Sequence, residues 1–120
     1  MEISTIMLDS DVFLTIKGAS EYKQININDI ISVTTSDKYV IVNTVSGTRF
    51  KFISSIKEIS RFLNNFIQVD KGFIVNKYYI VSLTKNSKNT DKYILTMTNG
   101  VNNIDVEISS YLAKKVLEQL

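Results

Sequence analysis

The feature that most constrains this chain is its punctuation: short β-forming runs follow one another, each closed by a turn signal. Val12-Phe13-Leu14-Thr15-Ile16 is dense in β-formers, and Gln24 to Ile30 alternates apolar with polar, which places Ile25 and Ile27 on one face of a strand. Ile31 to Val33 extends that run, and the small polar stretch Thr34 to Asp37 reads as a loop. Lys38 to Val45 and Thr48 to Phe52 flank Ser46-Gly47 and form a hairpin. The second arm sets a basic face (Arg49, Lys51) against an aromatic one (Phe50, Phe52). Further strands are expected at Phe66 to Val69, Phe73 to Asn76, Lys77 to Leu83, Lys92 to Thr98 and Val101 to Val106, the last two joined by Asn99-Gly100.

Only two segments read as helix. Ser55-Ile56-Lys57-Glu58 has the form of a capping box, and Ile56, Ile59, Phe62 and Leu63 then share a helical face until Asn64-Asn65. Ser109 or Ser110 caps a final helix from Tyr111 to Leu120. No βαβ spacing recurs, so a doubly wound parallel sheet is not expected. The expected architecture is mainly β and antiparallel, with one mid-chain and one C-terminal helix, in a single domain over residues 1–120.

Composition narrows the chemistry. The chain contains no His, Cys, Pro or Trp. Without His or Cys, the commonest general base, thiolate nucleophiles and zinc ligands are missing. Asp9 with Asp11, and Asp105 with Glu107, share strand faces but have no accompanying base or metal loop, so they read as surface charge. We expect no enzyme, no cofactor and no small-molecule substrate. Met1 to Ser10 lacks a basic n-region and a long apolar core, and no run approaches the roughly 18 apolar residues of a membrane span. A cytoplasmic location is the resulting expectation. Charge is unevenly spread: residues 1–37 hold two basic and six acidic side chains, residues 38–92 ten and three, and residues 93–120 two and three. A basic middle segment suits a polyanionic partner.

One stretch is more specific than generic β sequence. Phe66-Ile67-Gln68-Val69-Asp70-Lys71-Gly72-Phe73-Ile74-Val75-Asn76-Lys77-Tyr78-Tyr79-Ile80 follows a strand, a Ser-Gly turn, a strand and a short amphipathic helix. This order resembles the LytTR DNA-binding domain of bacterial transcriptional regulators. Phe66, Val69, Lys71, Ile74, Val75, Asn76 and Ile80 match that family's run, Asn28-Asp29-Ile30 resembles its first strand, and the likeness extends from about Val12 to the end. Where the family carries Arg, His and Ser, this chain has Gln68, Asp70 and Gly72, and its Val-Ser-Arg run is replaced by Val106-Glu107-Ile108.

The resemblance implies an elongated stack of small antiparallel sheets whose loops enter the major groove of double-stranded DNA. By position, the readers would be Thr35-Ser36-Asp37-Lys38-Tyr39, Asp70-Lys71-Gly72 and Glu107-Ile108-Ser109. Ser36, Lys38, Tyr39, Lys71 and Ser109 would face bases or phosphates, and Arg49, Lys51 and Lys77 would neutralise phosphates. The function implied is sequence-specific transcriptional regulation. No receiver domain fits in the dozen residues before the expected first strand, so a homodimer on DNA and a membrane-bound regulator are the candidate partners. The competing reading is a LytTR-like module that has lost DNA reading and serves protein interaction or dimerisation, motivated by the replaced Arg and by Asp70 and Glu107. Asn76 is expected to bond neighbouring backbone and organise its turn. Of Tyr78 and Tyr79, one is expected in the core and one at the surface.

Overall fold

A computed structural model describes all 120 residues, with principal extents of 50 × 30 × 24 Å. Three antiparallel sheets are built from eleven strands. The first contains β1 (Glu2–Leu8), β2 (Asp11–Lys17) and β3 (Tyr22–Asn26) in that order. The central sheet has the order β6-β5-β4-β8-β7, from β4 (Ile30–Ser36), β5 (Tyr39–Thr44), β6 (Arg49–Ile53), β7 (Phe66–Asp70) and β8 (Phe73–Asn76). The third has the order β11-β10-β9, from β9 (Ile80–Lys85), β10 (Lys92–Thr98) and β11 (Asn103–Ser109). The helices are α1 (Ile56–Ser60) and α2 (Ser110–Gln119).

The central sheet packs against an apolar cluster on each face, on the second face through β7 and β8, and strand alternation shows how. In β8, Ile74 points into one apolar cluster and Val75 into the other. The first cluster joins Val33, Val40, Val42 and Phe52 to Leu14, Ile16 and Ile25 of the first sheet and to Ile59 and Leu63 around α1. The second joins Ile67, Val69 and Val75 to Leu95, Met97 and Ile108 of the third sheet and to Ala113 and Val116 of α2. Neighbouring residues of one strand thus anchor two cores, and the elongated stack follows.

Several expected boundaries shift for local reasons. β1 was not anticipated, because Ile3, Ile6, Met7 and Leu8 do not alternate. It pairs along its whole length with β2 and therefore fills the segment expected to precede the first strand. The run Gln24 to Ile30 is not one strand: Asn26 accepts a hydrogen bond from Asn28 N–H and opens a 3-10 turn over Ile27–Asp29. Asn76 does the same with Tyr78 N–H, opening a 3-10 turn over Lys77–Tyr79 ahead of β9. β4 extends to Ser36 through the stretch expected as loop, leaving only Asp37 and Lys38 as the turn. Asp37 adopts a left-handed φ of 58°, which aspartate tolerates. Asn99 Oδ1 accepts from the N–H groups of Val101 and Asn102, so the β10–β11 connection is four residues long rather than a tight Asn-Gly hairpin. α1 is shorter than its apolar spacing suggests, although its cap is as expected, with Ser55 Oγ accepting from Glu58 N–H at 3.1 Å.

The 3-10 turns also separate the two tyrosines. Tyr79 is buried and Tyr78 is 84% exposed, while their rings meet edge-on at 5.2 Å. The Tyr79 hydroxyl donates to the carbonyl of Asn28, 51 residues away in sequence. Burial, reinforced by the Asp29 carboxylate and by Tyr78, holds the Tyr79 hydroxyl above its ordinary value of 10.0. The folded state therefore keeps this proton more tightly than the unfolded chain. The resulting stability is fully present below about pH 10 and is lost as pH rises through the raised folded value. Tyr79→Phe should cost about 1 kcal/mol near neutrality and remove that part of the alkaline loss. Urea titrations from pH 8 to 11 measure both, and an unchanged alkaline slope would contradict the assignment.

Candidate nucleic-acid interface

Register places two of the three expected loops side by side. β4 runs toward its turn at Asp37-Lys38, and β8 runs away from the β7–β8 turn with Thr34 opposite Phe73. Both tips therefore lie at one end of the central sheet. Backbone bonding joins them: Thr35 N–H donates to the Gly72 carbonyl at 3.0 Å, and Thr35 Oγ1 lies 3.4 Å from the same oxygen. Gly72 has no room for a side chain, since a Cβ there would sit 2.2 Å from Thr35 Oγ1. Glycine at the position where the related family carries serine thus permits close approach of the two tips. Gly72→Ala should cost about 1–3 kcal/mol through this clash. Adding Thr35→Ala should recover most of the loss, which a double-mutant cycle by thermal melting can read.

The β7–β8 tip is shaped by its own polar groups. Asp70 Oδ1 accepts from Lys71 N–H at 2.7 Å, and Gln68 Nε2 donates to the Lys71 carbonyl at 3.3 Å. A bulge in β7 between Gln68 and Asp70 bends the strand at this point. Asp70 and Gln68, which stand at replaced family positions, therefore organise the turn that presents Lys71. A cavity of about 420 Å³ beneath it is lined by Lys57, Gln68, Lys71 and Gln119 at the end of α2, among others.

The β4–β5 tip continues into a basic surface. Outward residues on β5 and β6 include Tyr39, Arg49 and Lys51, because Val40, Val42 and Phe52 take the core side. Lys51 Nζ lies 4.6 Å and Lys38 Nζ 5.7 Å from the centre of the Tyr39 ring. One aromatic face thereby holds two cations near one tip. Ser36 is exposed and pairs with Tyr39 across the turn. The one ion pair of the chain is Lys23 with Glu21, so Lys38, Lys51 and Lys71 have no carboxylate partner and are electrostatically available to an anion.

Arg49 and Lys77 lie elsewhere, and Ser109 is taken up by a helix cap. Arg49 pairs with Asn43 near the Ser46-Gly47 end of its hairpin, away from the tips. Its Nε donates to Asn43 Oδ1 at 3.1 Å, and Asn43 Nδ2 donates to Ser32 Oγ at 3.2 Å. Lys77 follows β8 at the opposite end of the sheet from Gly72 and is tied by its N–H to the Asn65 carbonyl. Ser109 caps α2, its Oγ accepting from Leu112 N–H at 3.3 Å, while Glu107 accepts from Asn86 Nδ2. Sequence spacing alone could not separate these positions, because strand direction determines which end of the sheet a residue reaches. No helix is long and apolar enough to cross a membrane.

Comparison with known proteins bears on this geometry. A family model described as the LytTr DNA-binding domain matches residues 20–120. Among solved structures, the fold is similar to a LytTr DNA-binding domain from Bacillus cereus. The TM-score is 0.68 at 21% identity, over 89% of this chain and 94% of that one. No curated protein matches. Because the family model spans the central and third sheets, both helices and both joined tips, the chain belongs to the LytTr DNA-binding domain family.

Proposed function

We propose that the chain is a sequence-specific transcriptional regulator that reads the major groove of double-stranded DNA with the joined tips of β4–β5 and β7–β8. The observation that carries this reading is the Thr35–Gly72 junction, which fixes two cation-bearing tips relative to one another. A rigid pair of tips can track a groove, whereas independent loops would lose conformational entropy on binding. In this reading Lys38 and Lys71 contact base edges or phosphates, and Lys51 flanks them as a phosphate neutraliser. Tyr39 orients two of these cations, and Ser36 offers a hydroxyl beside the turn. Ser109 supports the third loop by capping α2, and Arg49 and Lys77 stand too far along the sheet to share the same contact.

Asp70 does not favour the rival reading of a module without DNA contacts, since its carboxylate already accepts a backbone bond that shapes the tip. The test is selection of bound duplexes from a random pool, followed by mobility shift with genomic fragments. A recurrent motif is expected to emerge, with binding that weakens steeply as salt rises. Retention without any recovered motif, or no retardation at low salt, would sink the proposal.

A further inference from the structure

Each sheet has two free edges, and every edge strand carries charge somewhere along it, β1 only at its first residue, Glu2. β3 has Lys23, β6 has Arg49 and Lys51, β7 has Asp70, β9 has Lys85, and β11 has Asp105 and Glu107. Charged side chains on an edge are the usual protection against strand addition. β1 is different. From Ile3 to Leu8 it has no charged side chain, and its pairing with β2 runs unbroken from Glu2–Lys17 to Leu8–Asp11, with no bulge to twist the edge away. Its second half is also apolar and open to solvent: Ile6, Met7 and Leu8 are 37%, 69% and 45% exposed. A free edge with an unbroken uncharged run from Ile3 to Leu8 and exposed apolar side chains is open to strand pairing.

We infer that this partner is a second copy of the chain, with the two β1 strands pairing antiparallel about a two-fold axis at Thr5 and joining two three-stranded sheets into one of six. Two-fold symmetry requires one residue of the strand to face its own copy. Placing the axis at Thr5 engages every residue of Glu2–Leu8. It sets Ile3 against Met7, Ser4 against Ile6, and Glu2 against Leu8, so no like charges meet. The same operation on β6 about Lys51 would oppose lysine to lysine, and on β11 about Val106 would oppose Asp105 to Glu107. Charge compatibility therefore admits β1 and disfavours those two alternatives, while the uncharged run Ile3 to Leu8 with exposed Ile6, Met7 and Leu8 sets β1 apart from the remaining edges. β1 precedes the segment matched by the family model. A single pair of seven-residue strands makes a small interface, so association in the micromolar range is expected.

Sedimentation equilibrium of the full chain from 5 to 500 µM tests this directly. A monomer–dimer equilibrium is expected. Thr5→Lys and Thr5→Glu each put like charges face to face, and each should be monomeric. Mixed in equal amounts, the two variants should regain a dimer, because lysine then faces glutamate. Thr5 is exposed, so both variants should keep the wild-type circular dichroism spectrum and melting temperature. As a second check, the chain has no native cysteine, so Thr5→Cys should be joined to its copy by a short bifunctional thiol cross-linker in high yield. A wild-type monomer at every concentration, a dimer indifferent to both charge variants, failure of the mixture to pair, or open-ended growth beyond dimers would each overturn the inference.

Discussion

Replacing Asn76 with aspartate should be the most damaging single change in the chain, lowering stability by about 3–5 kcal/mol at pH 7. Asn76 is 4% exposed, and both ends of its amide are occupied. Nδ2 donates to the Ile30 carbonyl at 2.9 Å, and Oδ1 accepts from Tyr78 N–H at 3.0 Å. The β4–β8 ladder stops at Ser32–Val75, so the side chain continues it where the two backbones part. Aspartate keeps the acceptor but turns a carboxylate oxygen toward the Ile30 carbonyl and buries a charge with no cation beside it. For a domain of this size the loss corresponds to roughly 10–20 °C in melting temperature, measurable by calorimetry. The deficit should shrink as pH falls through the raised carboxyl pKa expected there, because a protonated aspartic acid can donate to Ile30 as the amide did. Asn76→Ala, which also leaves that carbonyl unpaired, should cost about 2–4 kcal/mol with no such recovery. Wild-type melting of the aspartate variant at pH 7 would show that this side chain does not hold the two strands together.

Asn76 also illustrates what sequence can and cannot convey. Its local role was legible, because a short amide before a turn tends to bond its own backbone. Its bond to Ile30 was not, since that partner is 46 residues away and only the fold brings it near. The same division runs through the molecule. Most of the strands from β2 onward, their antiparallel pairing and the α1 cap follow from periodicity and residue type, whereas the run around Val75-Asn76 was legible only through its resemblance to a family. β1 lacked alternation, and the 3-10 turns depended on side-chain caps inside otherwise strand-like runs. For the interface, the basic and aromatic residues were recognisable, but their distribution between the two ends of the sheet was not. Gly72 was visible only as a departure from the family run, and its contact with Thr35 gives that departure a physical reason.

The lysines at the joined tips lead to the largest expected change in function. Replacing Lys38, Lys51 and Lys71 together with glutamine should weaken binding to duplex DNA on the order of 100-fold near 0.1 M salt and reduce the salt slope by about 2. Each lost phosphate contact releases roughly 0.9 fewer counterions per duplex bound, which fixes the size of the slope change. The fold should tolerate the triple change, because all three side chains are exposed and none forms an ion pair within the chain. Lys77→Gln serves as the control: at the far end of the sheet, it should alter affinity by less than about twofold and leave the slope unchanged. Single variants separate roles further. A lysine that neutralises phosphate should weaken all sequences alike, whereas one that contacts a base should relax preference at one position of the recovered motif. Lys51 is expected in the first group. Lys71, held at the tip by Asp70 and Gln68, is expected in the second. Fluorescence anisotropy across a salt series distinguishes these outcomes. An unchanged slope in the triple variant, or a loss for Lys77→Gln as large as that for Lys71→Gln, would move the DNA to another surface of the domain.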